Sequence, residues 1–157
     1  MGKFTVDRND VLILEALQKD SSRSIADLAD LAGVSPSACQ RRIKALEASG
    51  VITGYAAQID PHALGLKLQA FVEITLTSQS REAMERFERA VALFDEILDC
   101  HLMAGQADYL LRVAARDLEQ YDHIHRDCLA ALPGVSSMRS AFAIRRIKRW
   151  RGYPVGG

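Results

Sequence analysis

The sequence predicts an α+β protein in which a helical N-terminal domain is followed by a domain of alternating strands and helices. Helix caps and apolar residues at helical spacing fill residues 7–50. Apart from a short stretch at 51–59, runs rich in β-branched and aromatic residues appear only after residue 67. Between the two patterns, residues 60–65 read Asp-Pro-His-Ala-Leu-Gly, a turn-forming combination that marks a break.

The composition fits a globular chain. Of 157 residues, 48% are apolar and 25% charged, which is enough to fill a core and too apolar for a disordered chain. Lys plus Arg equals Asp plus Glu at 20 each, so no overall charge attracts nucleic acid or an anionic membrane. The longest apolar runs are too short to span a bilayer, and no signal peptide is expected. Cys39, Cys100 and Cys128 lack CxxC spacing and are expected as free thiols in the reducing cytoplasm.

Residues suited to cap helix ends predict the first two helices. Asp7 is suited to cap the first helix, with Asp10 at the third helical position. Ser24 and Asp27 have the spacing of a capping box at the start of the second helix. Gly33 is suited to end that helix, because a residue just past a helix often takes a left-handed conformation.

The third helix carries two distinct stripes. Ser35 is expected as its N-cap and Pro36 as its first residue. Cys39, Ile43 and Leu46 form an apolar stripe that would anchor the helix in a core. A second stripe, rotated away from the first, comprises Ser37, Gln40, Arg41 and Lys44.

This pattern of helix, glycine break and two-faced helix is that of a helix-turn-helix DNA-binding motif. Its polar face offers donors to base edges in the major groove, and its N-terminus can meet phosphate. Two short strands, residues 51–53 and 55–59 around Gly54, are expected to form a hairpin wing that touches the DNA backbone. The predicted DNA-binding residues are Ser35, Pro36, Ser37, Gln40, Arg41, Arg42, Lys44, Thr53 and Tyr55. The alternative is a solvated face in an ordinary three-helix domain.

The C-terminal half predicts a ferredoxin-like domain with the order β-α-β-β-α-β. Strands are expected at 68–76, 97–103, 109–115 and 135–147, and helices at 80–93 and 117–132. The predicted domains are therefore a DNA-binding domain at 1–60, a linker at 61–66, the ferredoxin-like domain at 67–148 and a basic tail at 149–157.

Segments spread over residues 6–148 resemble the Lrp/AsnC family of transcription regulators, the leucine-responsive or feast/famine regulators. The N-terminal segments are Asp7-x-x-Asp10-x-x-Ile13-Leu14, Gly33-Val34-Ser35-Pro36-Ser37-x-Cys39-x-x-Arg42-Ile43-x-x-Leu46-Glu47-x-x-Gly50-Val51-Ile52 and Gly54-Tyr55. The C-terminal segments are Phe71-Val72-Glu73-Ile74, Cys100-His101-Leu102, Gly105-x-x-Asp108-Tyr109-Leu110-Leu111 and Leu132-Pro133-Gly134-Val135.

The resemblance implies a winged DNA-binding domain joined to an effector-binding, oligomerising domain. It implies homodimers that assemble further, often into an octamer built as a tetramer of dimers. The near-neutral charge also favours several copies acting together on DNA, because each phosphate contact adds affinity.

The resemblance further implies an amino-acid effector, held between dimers around the loop at 103–109 and the last strand. An amino acid needs an anion for its ammonium group, which Asp108 offers, and N–H or hydroxyl donors for its carboxylate. The predicted effector-binding residues are Met103, Ala104, Gly105, Gln106, Asp108, Tyr109, Leu118, Ser136, Ser140 and Phe142. From the residues alone, Gly105 is as well explained by a turn and Asp108 by a cap.

Two departures from the family pattern leave the identity of the effector open. The family often has threonine where Met138 and Ser140 stand, and a bulkier or acidic pair in place of Gln106 and Ala107. Leucine, another branched or aromatic amino acid, cysteine and proline are all compatible with the sequence.

Other kinds of function have less support. His123 and His125 diverge on a helix, and His101 beside Cys100 lacks the further ligands of a zinc site, so no metal is expected. No phosphate-binding or hydrolase motif occurs, so neither a cofactor nor an enzymatic activity is expected. Residues 145–151 contain five basic side chains, which suit either a nucleic-acid arm or a solvated strand end.

We therefore expect a transcription regulator, cytoplasmic and associated with the nucleoid, whose partners are double-stranded DNA, an amino-acid effector and further copies of itself. The alternative is a small-molecule-binding oligomeric module that does not bind DNA. The operator, the controlled genes, and whether the protein represses or activates stay open.

Overall fold

The fold was analysed in a computed structural model that describes residues 5–155. The chain forms two compact units. One comprises the residues up to Gln58 together with the chain from Ile147 onward, and the other comprises Ile59–Arg146. No helix among the described residues has the length and apolarity that crossing a bilayer requires.

The first unit contains the three predicted helices, α1 (Arg8–Lys19), α2 (Ile25–Ala32) and α3 (Pro36–Ala48). The predicted caps are confirmed. Asp7 accepts from the backbone N–H of Asp10, whose carboxylate accepts in turn from the N–H of Asp7. Ser24 and Ser35 cap α2 and α3 through their hydroxyl oxygens.

A sharp break separates α2 from α3. Gly33 has φ 65° and ψ 37°, a left-handed conformation that glycine adopts without a steric penalty. The helices enclose a small apolar core whose fully buried members are Ile13, Leu28, Ala29, Cys39 and Leu46. The predicted apolar stripe of α3 is thus confirmed as its inward face.

The predicted hairpin wing is wrong in its strands. Residues 51–60, all of which the structure describes, form bends and irregular chain without a strand. Gly54 lies in irregular chain rather than in a turn, at φ 158°, a positive value that residues with a Cβ rarely adopt. No facing segment pairs with the two short runs, so their local β propensity has nothing to stabilise it.

The second unit is the predicted ferredoxin-like βαββαβ fold. Its elements are β1 (Leu68–Leu76), α4 (Arg81–Val91), β2 (Ile97–Leu102), β3 (Tyr109–Ala115), α5 (Leu118–Asp127) and β4 (Val135–Phe142). The four strands form an antiparallel sheet in the order β2-β3-β1-β4. The linker predicted at 61–66 contains a 3₁₀ turn, Pro61–Leu64, capped by Asp60.

Two predicted elements end five residues earlier than expected, whereas α4 and β2 end within two residues of their predicted limits. β4 ends at Phe142 rather than at 147, because its partner β1 begins at Leu68 and Ala143 makes the last backbone bond, to Gln69. α5 ends at Asp127 rather than at 132, and a 3₁₀ turn, Leu129–Ala131, follows. The proline at 133 disfavours a helical conformation at the residue before it.

The sheet has one covered face and one open face. Alternate residues of β1, Ala70, Val72, Ile74 and Leu76, are buried with Phe87 and Ile124 of the helices. This arrangement follows from the period of two along a strand. On the open face, Arg139 pairs with Glu73 and Arg112 with Asp99, and Phe71 is 37% exposed.

Candidate nucleic-acid interface and effector site

The outer face of α3 is polar and accessible. Gln40, Arg41 and Lys44 are exposed, and none of them makes a side-chain hydrogen bond or ion pair with another residue in the range 5–155. Ser35, Pro36 and Ser37 are exposed at the N-terminus of the helix, where the Ser35 and Ser37 hydroxyl oxygens lie 3.2 Å apart. Unpaired donors on an exposed helix are what reading a major groove requires. Contact of these residues with DNA stays a prediction.

Arg42 is predicted to bind DNA, and in the structure its guanidinium is bonded within its own domain, so a DNA contact of Arg42 stays a prediction. Its Nη1 donates to Asp7 Oδ2 at 2.6 Å and to Asp10 Oδ1 at 2.9 Å. The Asp10 side chain is almost entirely buried. Arg42 therefore connects α3 to the start of α1 and neutralises a buried carboxylate, which leaves its guanidinium turned toward its own domain.

Replacing Arg42 with Ala is expected to lower the free energy of unfolding by about 1–2 kcal/mol, because Asp10 loses a charged partner. Arg41→Ala, which removes a neighbouring exposed cation, is the matched control and is expected to change stability by less than about 0.5 kcal/mol. Urea unfolding followed by circular dichroism measures both. If Arg42→Ala is as stable as Arg41→Ala but has lost affinity for DNA, the main role of Arg42 is to bind DNA.

The carboxyl group of Asp7 gives this ion cluster a pH dependence. The backbone N–H of Asp10 and then the Arg42 side chain hold the pKa of Asp7 below its ordinary value of 3.8. The stabilisation is fully present above that ordinary value and is lost as the pH falls through the lower pKa of the folded state. From about pH 5 to about pH 2, Asp7→Asn is expected to lose stability less steeply than the unmodified protein, as urea midpoints would show. Parallel pH profiles would contradict this prediction.

The two residues predicted on the wing differ: Tyr55 is held by a hydrogen bond to α3, whereas Thr53 is exposed to solvent. The Tyr55 hydroxyl donates to Glu47 Oε1 at 2.9 Å and so connects the irregular segment to the end of α3. Burial, then the bond and charge of Glu47, raises the pKa of Tyr55 to about 12, so it stays a neutral donor. Thr53 is exposed. Thr53 and Tyr55 therefore do not form the single hairpin surface that the sequence predicts.

In the second unit, the structure places Asp108 in an internal role. Its Oδ2 accepts from the backbone N–H of Leu76 at 2.7 Å, and its Oδ1 accepts from Gln79 Nε2 at 2.7 Å. The residue is only 9% exposed. In this structure Asp108 is therefore not a free anion, because its two oxygens accept from the last residue of β1 and from Gln79 of the segment that follows; its contact with an effector stays a prediction.

Tyr109 is likewise directed into the core. It is 1% exposed, its ring centroid lies 4.6 Å from that of Phe87, and its hydroxyl donates to Glu88. β3 alternates strictly between buried and half-buried residues, which puts Tyr109 on the covered face of the sheet. The Tyr109 side chain is therefore enclosed within one chain, and its contact with an effector stays a prediction.

The remaining effector residues fall into two groups along the sheet. The loop group lies beyond the Leu76 end of β1 and comprises Met103, Ala104, Gly105, Gln106 and Ser136. The strand-end group comprises Leu118, Ser140 and Phe142 and extends from the middle of β1, where Ser140 pairs with Val72, toward the Leu68 end. Phe142 pairs with Ala70 and Tyr109 with Ile74, four residues away along β1, or roughly 13 Å. One chain therefore does not bring the loop group and Phe142 to one amino acid.

The strand-end group has an unpredicted member, Tyr121 of α5. Its hydroxyl lies 2.6 Å from Ser140 Oγ, and its ring meets Phe142 edge-on at 5.0 Å. Tyr121 lies one helical turn after Leu118, so the two side chains share a face of α5. This spacing is the sequence signal that could have identified Tyr121. Two shallow depressions lie along α5, and none of the predicted effector residues lines either of them.

The three cysteines carry free thiols, and two of them have a raised pKa. Cys39 and Cys128 are buried, and all three thiols are free. Burial raises the pKa of both Cys100 and Cys128 to about 11, which keeps these thiols protonated. Among the described residues, no group of three or more His, Cys, Asp or Glu side chains is placed to hold a metal ion.

Comparison with known families agrees with this division of the chain. A winged helix-turn-helix DNA-binding model matches residues 6–53, and the Lrp/AsnC ligand binding domain matches residues 69–153. Together with the exposed face of α3, they define a transcription regulator that joins a DNA-binding domain to a ligand-binding domain. The chain belongs to the Lrp/AsnC family.

Relatives and solved structures agree over almost the full length. Leucine-responsive regulatory proteins of Escherichia coli and Salmonella typhimurium are 39% identical over 144 residues, which is 92% of this chain and 88% of theirs. A Neisseria meningitidis transcriptional regulator in complex with L-Met has a TM-score of 0.90 at 33% identity, over 96% of this chain and 97% of that one. An AsnC family regulator from Agrobacterium tumefaciens has a TM-score of 0.90 at 38% identity, over 95% and 97%. These relatives are regulators, not enzymes.

Proposed function

We propose that this protein binds specific DNA sites, controls transcription, and changes its assembly or DNA affinity when a free amino acid binds to its second unit. The observation that carries the DNA-binding proposal is the exposed, unpaired face of α3, with Gln40, Arg41 and Lys44. Arg and Lys donors match guanine O6 and N7, and Gln matches adenine. Exposed Ser35 and Ser37 at the helix N-terminus suit a backbone phosphate.

The active form is a homodimer formed through the open face of the sheet. One face of the antiparallel sheet is covered by α4 and α5, whereas the other presents Phe71, half-buried Leu110 and paired charges. Arg112 Nε is buried there without a hydrogen-bond partner, a group that a facing copy can satisfy. Further assembly, up to an octamer, gives several DNA-binding units per particle.

The effector site is completed by a second copy of the chain. In one chain the loop group and Phe142 lie roughly 13 Å apart along β1, whereas the ammonium and carboxylate of one amino acid are carried on the same carbon atom. In an assembly, the loop group of one chain can meet the strand-end group of another. Effector binding then changes assembly, because it favours the state in which the two groups meet.

The effector chemistry combines an apolar wall with polar donors. Met103, Leu118 and Phe142 are exposed large apolar side chains, and Ser136 is an exposed hydroxyl. Methionine is the first candidate, because the Neisseria regulator and a Mycobacterium tuberculosis feast or famine regulatory protein were both solved with it. The Mycobacterium protein is 30% identical, with a TM-score of 0.82 over 95% of this chain and 99% of that one. Leucine and the other amino acids named above are the alternatives.

On this proposal the protein catalyses no reaction and needs no cofactor other than its effector. Because its partner is DNA, it acts in the cytoplasm, associated with the nucleoid. The decisive experiment is selection of bound sequences from a random DNA pool, with and without a mixture of the twenty amino acids. Enrichment of a palindromic site that shifts with the mixture supports the proposal. No enrichment, together with amino-acid-dependent thermal stabilisation, would leave a ligand-binding module that does not bind DNA.

A further inference from the structure

The basic C-terminal segment is docked on the DNA-binding unit. The chain from Ile147 onward belongs to the same compact unit as α1–α3. Gln18 of α1 makes two reciprocal bonds with one residue of the segment: its Nε2 donates to the Tyr153 carbonyl at 3.0 Å, and its Oε1 accepts from the Tyr153 N–H at 2.6 Å. The side-chain amide thus pairs with the backbone as a neighbouring strand would, although the segment forms no strand.

Gly152, which precedes Tyr153, has a backbone conformation that leaves room for the Gln18 side chain. Gly152 has φ 97°, a conformation that residues with a Cβ rarely adopt. A Cβ at this position would also overlap the Gln18 side chain. Trp150 and Tyr153 meet edge-on at 5.6 Å across the glycine. Docking therefore depends on a particular glycine and a particular glutamine, neither of which carries charge.

The segment supplies the net positive charge of its unit. The residues up to Gln58 include seven basic and seven acidic side chains, and the Arg42 cation is already shared by two carboxylates. The segment from residue 147 adds Lys148, Arg149 and Arg151, and it has no acidic residue. All three cations are exposed, and within residues 5–155 none joins an ion pair.

We propose that Lys148, Arg149 and Arg151 form a second DNA contact, an arm that binds backbone phosphates and is positioned by the pairing of Gln18 with Tyr153. This inference rests on the proposed DNA-binding function and adds to it a site outside α3. The arm binds phosphate rather than bases, so it raises affinity for every sequence and increases the dependence of binding on salt. It compensates for a DNA-binding unit that otherwise carries no net charge.

The test measures how affinity for a selected operator falls with salt. In the triple variant Lys148→Ala, Arg149→Ala, Arg151→Ala, the slope of log affinity against log salt is expected to become shallower by roughly 1 to 3 per bound chain. Affinity at low salt should fall at least about ten-fold while the preferred sequence stays the same. The control removes three exposed cations of the other unit, Lys67, Arg86 and Arg89, and should leave the slope close to that of the unmodified protein.

Two neutral variants test the docking. Gln18→Ala and Gly152→Ala keep every charge but release the segment, so each should weaken binding in the same direction as the triple variant. Adding Gln18→Ala or Gly152→Ala to the triple variant should not weaken DNA binding beyond the effect of the triple variant alone. Trp150 is the only tryptophan, so a rise in its quenching by acrylamide reports the release directly.

A triple variant that matches the control in slope and affinity would overturn the inference, provided that the unmodified protein binds DNA. If the unmodified protein binds no DNA, the proposed function fails as well. If Gln18→Ala weakens binding equally with and without the three cations, the docking does not act through the arm, and its positioning role is wrong.

Discussion

Replacing Arg41 and Lys44 together with Ala is expected to weaken specific DNA binding by about 2–6 kcal/mol, because each removes a contact worth about 1–3 kcal/mol. Both side chains are exposed and unpaired on the outer face of α3 in the structure of residues 5–155, so their loss leaves the core of Ile13, Leu28 and Leu46 intact. Gel shifts on the selected operator and on scrambled DNA measure the affinity and the preference between the two.

The single variants separate base reading from phosphate binding. If Arg41 contacts a guanine edge, Arg41→Ala relaxes the choice of base at one position, whereas loss of a phosphate contact weakens all sequences uniformly. Lys19→Ala with Arg23→Ala removes two exposed cations of the same unit away from α3 and should leave the preference unchanged. Unchanged affinity and preference in the Arg41 and Lys44 double variant would refute the role of α3 in recognition.

Asp108→Ala is expected to lower the free energy of unfolding by about 3 kcal/mol. It leaves the Leu76 N–H without its acceptor in a buried position, and such an orphaned donor costs about 1–3 kcal/mol. It also releases Gln79, whose amide is bound to the same carboxylate. Thermal unfolding measures the loss, and hydrogen exchange at the Leu76 amide locates it at the end of β1.

Asp108→Asn is the matched control. Its amide oxygen can still accept from Leu76, and Gln79 can turn its own oxygen toward the new NH₂ group, so a loss of only about 1 kcal/mol is expected. If Asp108→Ala keeps full stability but abolishes amino-acid binding, the carboxylate belongs to the effector site as the sequence suggested. Loss of stability with retained amino-acid binding supports the internal role.

Arg42 and Asp108 show that the charge of a residue does not by itself reveal its partners in the fold. Both lie in motifs shared with the Lrp/AsnC family, and both were given external ligands, DNA for the first and an ammonium group for the second. Each instead has a partner distant in sequence: Asp7 and Asp10 for Arg42, and Leu76 and Gln79 for Asp108. A buried charge needs such partners, so the fold uses these side chains itself.

The sequence by itself determined the elements whose signals are local. The starts of α1, α2 and α3 follow from capping residues within three positions of each helix start. The bounds of β1 and β3 were predicted to the residue, because alternation continues over their whole length. The order of strands and helices then restricted the second unit to the ferredoxin-like fold.

Only the tertiary structure decided what depends on partners far along the chain. The predicted wing lacks a facing strand, and β4 ends where β1 no longer pairs with it. The predicted effector residues are spread along the sheet, from the loop at 103–106 to Phe142. The bond between Gln18 and Tyr153 joins residues 135 positions apart. No pattern within a short window specifies such a contact, because its stability comes from the geometry that the whole unit provides.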